Sequence, residues 1–229
     1  MHGKHMTQLN NKNNFTYLFL SLITLLFSAT VVTEVPDGIG EDIFSLVILI
    51  MLVVSLKSLN ADRTWKWVAY IIIAAFILLT ISDKFFSHQS SVYFILLTLL
   101  IFFIRSFITA GKQVLFVGGI DENKIIGSLV LYILLGLIWT VIYLLLLTID
   151  PQAFSGIEPG TWQQIFSRAA YYSFVTLTTL GYGDILPTNH VAEFFVYMEA
   201  IIGVFYMAII VSSLISLHIE AIQDAKRGK

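Results

Sequence analysis

Seven long stretches without a charged residue restrict the fold of this chain more than any other feature. They cover residues 13–33, 43–56, 67–82, 85–104, 125–149, 169–183 and 200–219. An α-helix needs about 20 apolar residues to cross a hydrocarbon core of about 30 Å. All but the stretch 169–183 reach that length once their flanking residues tilt or extend toward the headgroups. The sequence therefore predicts an all-α membrane protein with six transmembrane helices.

The composition agrees with this class and excludes several others. Apolar residues make up 57% and charged residues 12% of the chain, about half the charged share of a soluble domain. There is no cysteine, which excludes disulfides and thiolate metal sites. A net charge of −2 gives no indication of nucleic-acid binding. No metal-binding or catalytic pair lies within the spans, so we expect no enzyme, no cofactor and no small-molecule substrate.

The first apolar stretch is predicted to be a retained transmembrane helix. It follows Lys4 and Lys12, as the core of a signal peptide would, but it is long for such a core and no small-residue cleavage site follows it. When the N-terminus is placed in the cytoplasm, only Lys84 and Arg168 of the 13 basic residues lie on the other side. We therefore expect a multi-pass membrane protein with both termini cytoplasmic.

The spacing of these stretches predicts four segments along the chain. Residues 1–109 form a four-helix transmembrane domain. Residues 110–124 contain three glycines and are too polar to cross the bilayer, so they are expected to form a cytoplasmic connector that breaks at its two adjacent glycines. Residues 125–220 hold two spanning helices with a shorter apolar segment between them. Residues 221–229 form a short cytoplasmic tail.

The stretch 169–183 differs from the others because threonine, tyrosine and glycine interrupt it. Thr161 and Gln164 have the spacing of a capping box and predict a helix that begins there and ends near Thr176. Such a helix is about 24 Å long at 1.5 Å per residue, too short to cross with this polar content. Two glycines beyond it oppose its continuation. We therefore predict a re-entrant helix followed by irregular backbone.

Residues 178–184 (TTLGYGD) are expected to line a path through the membrane. Irregular backbone at membrane depth is tolerated only where protein buries it or water reaches it. Glycine adopts positive φ at low cost, so Gly181 and Gly183 let successive carbonyls point the same way. Aligned carbonyls, with the Thr179 hydroxyl at the inner end, can replace the hydration shell of a cation. Oxygen ligands without a carboxylate suit a weakly hydrated monovalent ion that must also leave.

These residues resemble the selectivity-filter signature of potassium channels, and the chain resembles bacterial six-transmembrane-helix potassium channels over about 125–220. The signature is carried by Thr179, Leu180, Gly181, Tyr182 and Gly183. Leu180 stands where Val or Ile is usual, and Asp184 matches the residue that commonly follows. The resemblance implies a pore domain of outer helix, pore helix, filter and inner helix, in the bacterial inner membrane. It also implies K⁺ sites at Thr179, Leu180, Gly181 and Tyr182.

The resemblance assigns supporting roles to further residues and one role to the first four helices. Tyr171 and Tyr172 lie where an aromatic cuff around the filter would begin, Thr178 precedes the filter, and Gly203 fits a gating hinge. A voltage-sensing fourth helix carries an arginine at every third position, whereas the fourth span here has Arg105 alone. The architecture is voltage-gated-like, and weak or no voltage sensitivity is expected.

Glu199 is the one acidic residue well inside an apolar stretch of the last helix. An isolated carboxylate in a membrane is costly, so it should be paired, hydrogen-bonded or protonated. Glu199 and Gly203 share a helix face, and if Gly203 faces the pore, Glu199 points toward Ser173 and Thr176 behind the filter. Glu199 is therefore predicted to support the filter, with a purely structural carboxyl as the alternative.

The sequence as a whole favours a potassium-selective channel subunit. One chain supplies one filter strand, so four chains are needed to close a ring of carbonyls, and a homotetramer in contact with membrane lipid is expected. Two other functions stay open. One is a poorly selective monovalent cation channel, and the other is the membrane subunit of a potassium uptake system.

Overall fold

The computed structural model describes residues 14–36, 38–59, 63–86, 89–116 and 122–212. It contains seven α-helices and two very short strands. Six of the helices are long and apolar enough to cross a membrane, as the sequence predicts. A 3₁₀ turn follows α1 and a π-helical segment follows α7. The elements are α1 (Asn14–Val31), the 3₁₀ turn (Val32–Glu34), α2 (Ile39–Ser58), α3 (Arg63–Phe86), α4 (Gln89–Phe116), α5 (Glu122–Ile149), β1 (Phe154–Ser155), α6 (Trp162–Leu177), β2 (Leu186–Pro187), α7 (His190–Tyr206) and the π-helical segment (Met207–Val211).

Several sequence predictions lie outside the described residues. They are the placement of the N-terminus before residue 14, the break at Gly118-Gly119, the last part of the predicted inner helix at 213–220, and the tail at 221–229. They stay predictions.

Helix α4 is longer than the predicted fourth span and includes the first residues of the predicted connector. The helix continues without a break past residue 110 to Phe116, and α5 begins at Glu122. Val114 is buried, and a Cβ built on Gly127 of α5 would lie 2.6 Å from its side chain. Close packing against α5 thus keeps this less apolar segment helical. The boundary placed after residue 109 falls inside a helix, and the division into domains stays a prediction.

Helix α5 is the centre of the packing. It packs along both α1 and α4, and α6 packs against it as well. In its spanning segment, 67% of the residues are buried, against 22–39% in the other five spans. The sequence of α5 is apolar around its whole circumference, which is typical of a helix enclosed by others.

Helices α1 and α2 also contact α6 of the same chain. The ring of Phe44 in α2 lies 5.0 Å from that of Phe166 and 6.1 Å from that of Trp162, centroid to centroid. Next to them, Gln164 Nε2 donates a hydrogen bond of 2.8 Å to Glu41 Oε1. The first turns of α6 are therefore braced by α2, at the end of the bundle where α6 begins.

A two-stranded antiparallel sheet joins the loop before α6 to the loop before α7, a feature that the all-α prediction did not contain. Phe154 lies opposite Pro187 and Ser155 opposite Leu186. Beside the strands, Thr188 N donates to Ala153 O at 3.0 Å, and Asn189 Nδ2 donates to Asp150 Oδ2 at 2.9 Å. The two ends of the segment that contains α6 and residues 178–184 are thus fastened together.

Candidate functional site

Helix α6 begins at a predicted cap and ends deep in the bundle. Gln164 N donates to Thr161 Oγ1 at 3.4 Å and Thr161 N donates to Gln164 Oε1 at 3.1 Å, which forms the expected capping box. The helix has 16 residues, and its last residue, Leu177, lies against Gly203 of α7. Gly203 is about 20 Å from the start of α7 at 1.5 Å per residue. The helix therefore ends at membrane depth, as the re-entrant prediction requires.

The backbone after α6 turns back and bonds to the last turn of the helix. Thr179 N donates to Thr176 O at 2.9 Å, and Leu180 N and Gly181 N both donate to Val175 O, at 2.9 and 3.3 Å. These three amides face the helix. These hydrogen bonds fix the three amides relative to the end of α6, so the position of α6 determines where residues 179–181 lie.

The backbone of residues 179–183 alternates in handedness. Thr179, Gly181 and Gly183 have φ angles of +59°, +57° and +78°, whereas Leu180 and Tyr182 between them do not have positive φ. In a regular β-strand successive carbonyls point in opposite directions, and alternation of left- and right-handed residues instead turns them to one side. Thr179 is the sole non-glycine residue with positive φ in the described part of the chain. A conformation of this kind costs about 1–3 kcal/mol and marks functional sites.

Residues 178–184 form part of the surface of the single chain. Each of them is exposed, whereas Val175, Thr176 and Leu177 immediately before them are buried. The side chains of Leu180 and Tyr182 are 55% and 66% exposed. The amides of residues 179–181 bond to α6, and the stretch is otherwise open in the single chain.

Asp184 and Tyr171 are brought together at the outer end of the stretch. Arg168 Nη2 lies 3.7 Å from Asp184 Oδ2 and its guanidinium lies 5.3 Å from the centre of the Tyr171 ring. It also donates to Gly156 O at 3.1 Å. The Tyr171 side chain also forms a hydrogen bond with the Asp184 side chain. Arg168 thus anchors Asp184. Both tyrosines of the predicted cuff lie on α6, and Tyr171 is on the side that faces Arg168 and Asp184.

Tyr172 faces the opposite way and packs into an aromatic cluster behind α6. Its ring centre lies 5.2 Å from that of Tyr143 and 5.4 Å from that of Phe154. The hydroxyl of Thr176, which the sequence offered as a neighbour of Glu199, interacts with Tyr172 instead. The predicted pair of cuff tyrosines is therefore split between the outer surface and the core.

Glu199 is fully buried between α5, α6 and α7. Ser173 Oγ lies 2.6 Å from Glu199 Oε1, and Tyr143 donates a hydrogen bond to Glu199 Oε2. Ser173 Oγ also lies 2.8 Å from Gly136 O of α5, a carbonyl that accepts from Thr140 Oγ1 as well. The contact between Glu199 and Ser173 is the one that the sequence predicted; a role in supporting the filter stays a prediction.

Gly203 is a point of close approach between α7 and α6. A Cβ built on Gly203 would collide with the carbonyl oxygen of Leu177. Helix α7 continues through Gly203 to Tyr206, and the backbone becomes π-helical at Met207. The structure thus gives this glycine a packing role, whereas the hinge role stays a prediction.

Three functional features were missed by sequence reasoning. Tyr143 was not singled out in the sequence, although it donates a hydrogen bond to Glu199. Gly136 lies so close to α6 that a Cβ there would be 2.5 Å from the Phe174 ring, and a lone glycine within a spanning helix is a signal that could have indicated this contact. The positive φ of Thr179 has no sequence signal, because threonine rarely adopts it.

A cavity of about 1170 Å³ lies away from residues 178–184. It is lined by the starts of α2, α4 and α6 and the ends of α3 and α5, with Glu41, Asp83 and Trp162 among its residues. Within the described residues no group of three or more His, Cys, Asp and Glu side chains could hold a metal ion. The candidate site is therefore an open backbone stretch and not an enclosed pocket.

The fourth helix holds Arg105 on its exposed side. Its guanidinium lies 5.2 Å from the centre of the Trp65 ring of α3, and the side chain is exposed. No ion pair to Arg105 occurs in the described residues. Arg105 is thus held by stacking on an aromatic ring of the neighbouring helix.

Comparison with known proteins gives one match. A search of curated proteins and a search of solved structures each returned no match. Residues 132–220, from within α5 to beyond the described part of the last helix, match the family model described as an ion channel. That region contains α6, residues 178–184 and α7. The match and the six apolar helices together support an ion channel with several membrane-crossing helices.

Proposed function

We propose that this chain is one subunit of a potassium-selective channel that conducts K⁺ passively across a cell membrane. The observation that carries the proposal is the alternating positive φ at Thr179, Gly181 and Gly183. Such a backbone presents successive carbonyls to one side, where they replace water around a dehydrated cation. Four sets of oxygens, from Thr179, Leu180, Gly181 and Tyr182, are the proposed K⁺ ligands.

Four copies of the chain are proposed to surround the ion. Residues 178–184 are exposed on one face, and one strand can supply only one side of an ion's coordination shell. Fourfold repetition completes each ring of oxygens and covers the exposed Leu180 and Tyr182 side chains. The channel is proposed to be a homotetramer in the bacterial inner membrane, in contact with lipid and with both termini in the cytoplasm.

Weak or absent voltage sensitivity is part of the proposal. Moving one charge through the whole field yields about 2.3 kcal/mol per 100 mV, and steep sensors move three to four charges per subunit. Helix α4 carries two basic residues, Arg105 and Lys112, and no arginine at every third position, and Arg105 stacks on Trp65. The first four helices are proposed to brace the pore.

Ion flux into liposomes tests the proposal. Purified full-length protein is reconstituted with K⁺ inside, and uptake of Rb⁺, Na⁺ or Li⁺ is followed with and without external K⁺. Rapid Rb⁺ uptake that K⁺ competes with, together with little Na⁺ or Li⁺ uptake, is the expected result. Comparable Na⁺ and Rb⁺ uptake would identify a poorly selective cation channel. Uptake only with a second protein component would favour a potassium uptake subunit.

A further inference from the structure

The oxygen atoms around Glu199 form a chain of short contacts across three helices. Tyr143 Oη on α5 bonds to Glu199 Oε2, Glu199 Oε1 on α7 lies 2.6 Å from Ser173 Oγ, and Ser173 Oγ on α6 lies 2.8 Å from Gly136 O on α5. Each of these contacts is short enough to require a hydrogen between the two oxygens. The chain therefore contains three contacts and needs three hydrogens.

Counting those hydrogens fixes the state of the glutamate. Tyr143 and Ser173 carry one hydroxyl hydrogen each, and a carbonyl oxygen carries none. If Glu199 is ionised, only two hydrogens are available for the three contacts. One contact then has no hydrogen: either that between Glu199 Oε1 and Ser173 Oγ or that between Ser173 Oγ and Gly136 O. If Glu199 is a neutral acid, its proton bonds to Ser173, Ser173 donates to Gly136 O, and every contact is satisfied.

The burial of Glu199 also favours the neutral acid. Glu199 is fully buried, and in the described part of the chain no basic side chain forms an ion pair with it. A buried charge without a partner is far more costly than a buried, fully hydrogen-bonded neutral group.

We propose that Glu199 is held as a neutral carboxylic acid that ties α5, α6 and α7 together and thereby positions the filter; the positioning part rests on the proposed function. Ser173 lies on α6 two residues before Val175, whose carbonyl receives the amides of Leu180 and Gly181. One turn beyond Glu199, Gly203 contacts Leu177. Helix α7 thus holds the last two turns of α6 at two successive points.

Infrared spectroscopy of the full-length protein in bilayers at neutral pH tests the protonation. A carbonyl stretching band of a protonated carboxylic acid is expected in the parent protein and is lost in Glu199→Gln. Glu193→Gln is the matched control, because Glu193 is on the same helix, is exposed and pairs with His190. Absence of the band in the parent, or its persistence in Glu199→Gln, overturns the proposal that Glu199 is a neutral acid.

Rubidium flux with the same variants tests positioning. Glutamine can donate to Ser173 and accept from Tyr143, so Glu199→Gln should keep Rb⁺ uptake within about twofold of the parent, whereas Glu199→Val and Tyr143→Phe should each lower it about tenfold, the factor for about 1.4 kcal/mol. Tyr143→Phe keeps the ring and the acid, so it decides the question if Glu199→Val does not fold. Unchanged uptake in Tyr143→Phe overturns positioning. A parent that conducts no Rb⁺ overturns the proposed function but leaves the infrared result valid.

Discussion

Helices α1 to α4, called the four-helix region, and helices α5 to α7, called the pore region after their proposed function, are held together by different interactions. The buried polar side chains of the four-helix region include Ser55 and Ser106, whose hydroxyls lie 3.4 Å apart, and its core is otherwise mostly apolar. In the pore region a buried carboxyl, a phenol and a serine form one connected chain. Apolar packing tolerates many arrangements of similar volume, whereas a fully bonded polar chain specifies one.

The difference shows where the molecule needs a defined geometry. Residues 178–184 receive their position from the end of α6, and α6 is fixed on one side by the polar chain and on the other by Phe44 of α2. The four-helix region thus contributes bulk support, and the pore region sets the positions of individual atoms. Four substitutions separate these contributions, and they follow in order of decreasing expected effect.

Replacing Gly181 by alanine is expected to abolish conduction while the protein stays folded. Nothing lies within 4 Å of a Cβ built there in the single chain, so the effect comes from the positive φ, which an L-residue adopts at a cost of about 1–2 kcal/mol. Flux and the mass of the assembly are measured together. Gly111→Ala is the control, since its Cβ would make an ordinary 3.8 Å contact with Leu131. Normal flux in Gly181→Ala would contradict the proposal that residues 179–183 form the ion-binding filter.

Replacing Gly203 by alanine distinguishes packing from a hinge. The added Cβ collides with the backbone of Leu177, and overpacking of this kind costs about 1–3 kcal/mol. Thermal unfolding of the assembly in detergent should therefore occur at a lower temperature, and flux should fall. A hinge without a packing role predicts reduced flux with unchanged unfolding. That outcome would contradict the packing assignment.

Truncation of Phe44 measures the support that α2 gives to α6. The side chain is fully buried against Phe166 and Trp162, and loss of a buried aromatic side chain costs about 3–5 kcal/mol in soluble proteins. Phe44→Ala should destabilise the protein and lower flux only in part. Leu46→Ala, on the same helix at a side chain 55% exposed, should change neither. Equal unfolding temperatures for the two variants would show that α2 does not brace α6.

Neutralising Arg105 is expected to have the smallest effect. The side chain is exposed and stacks on Trp65, and a single charge is worth at most about 2.3 kcal/mol per 100 mV, against the three to four charges per subunit of a steep sensor. The conductance–voltage curve of Arg105→Gln in planar bilayers should overlay that of the parent. A steep parent curve that Arg105→Gln flattens would show that the four-helix region senses voltage.

The sequence predicted the parts of the structure that depend on local patterns. Six spans, the capping box at Thr161 and the short α6 follow from apolar length and from the spacing of a few side chains, and the structure contains all three. The contact of Glu199 with Ser173 was predicted on the condition that Gly203 faces the pore; the contact is present, but Gly203 is buried against Leu177 of α6. The helical state of residues 110–116, which continue α4 and pack against α5, came from the structure, and the connector at 110–124 stays a prediction.

What the sequence by itself determined is therefore the class of membrane fold and the stretch that can present carbonyls to an ion. The tertiary structure alone decided how that stretch is held. Tyr143 is 56 positions from Glu199, and Ser173 is 37 positions from Gly136, separations at which no local pattern records a contact. The positive φ of Thr179 depends in the same way on amides that bond back to α6. Local propensity sets which segments are helical, and the packing of distant helices sets where individual oxygen atoms lie.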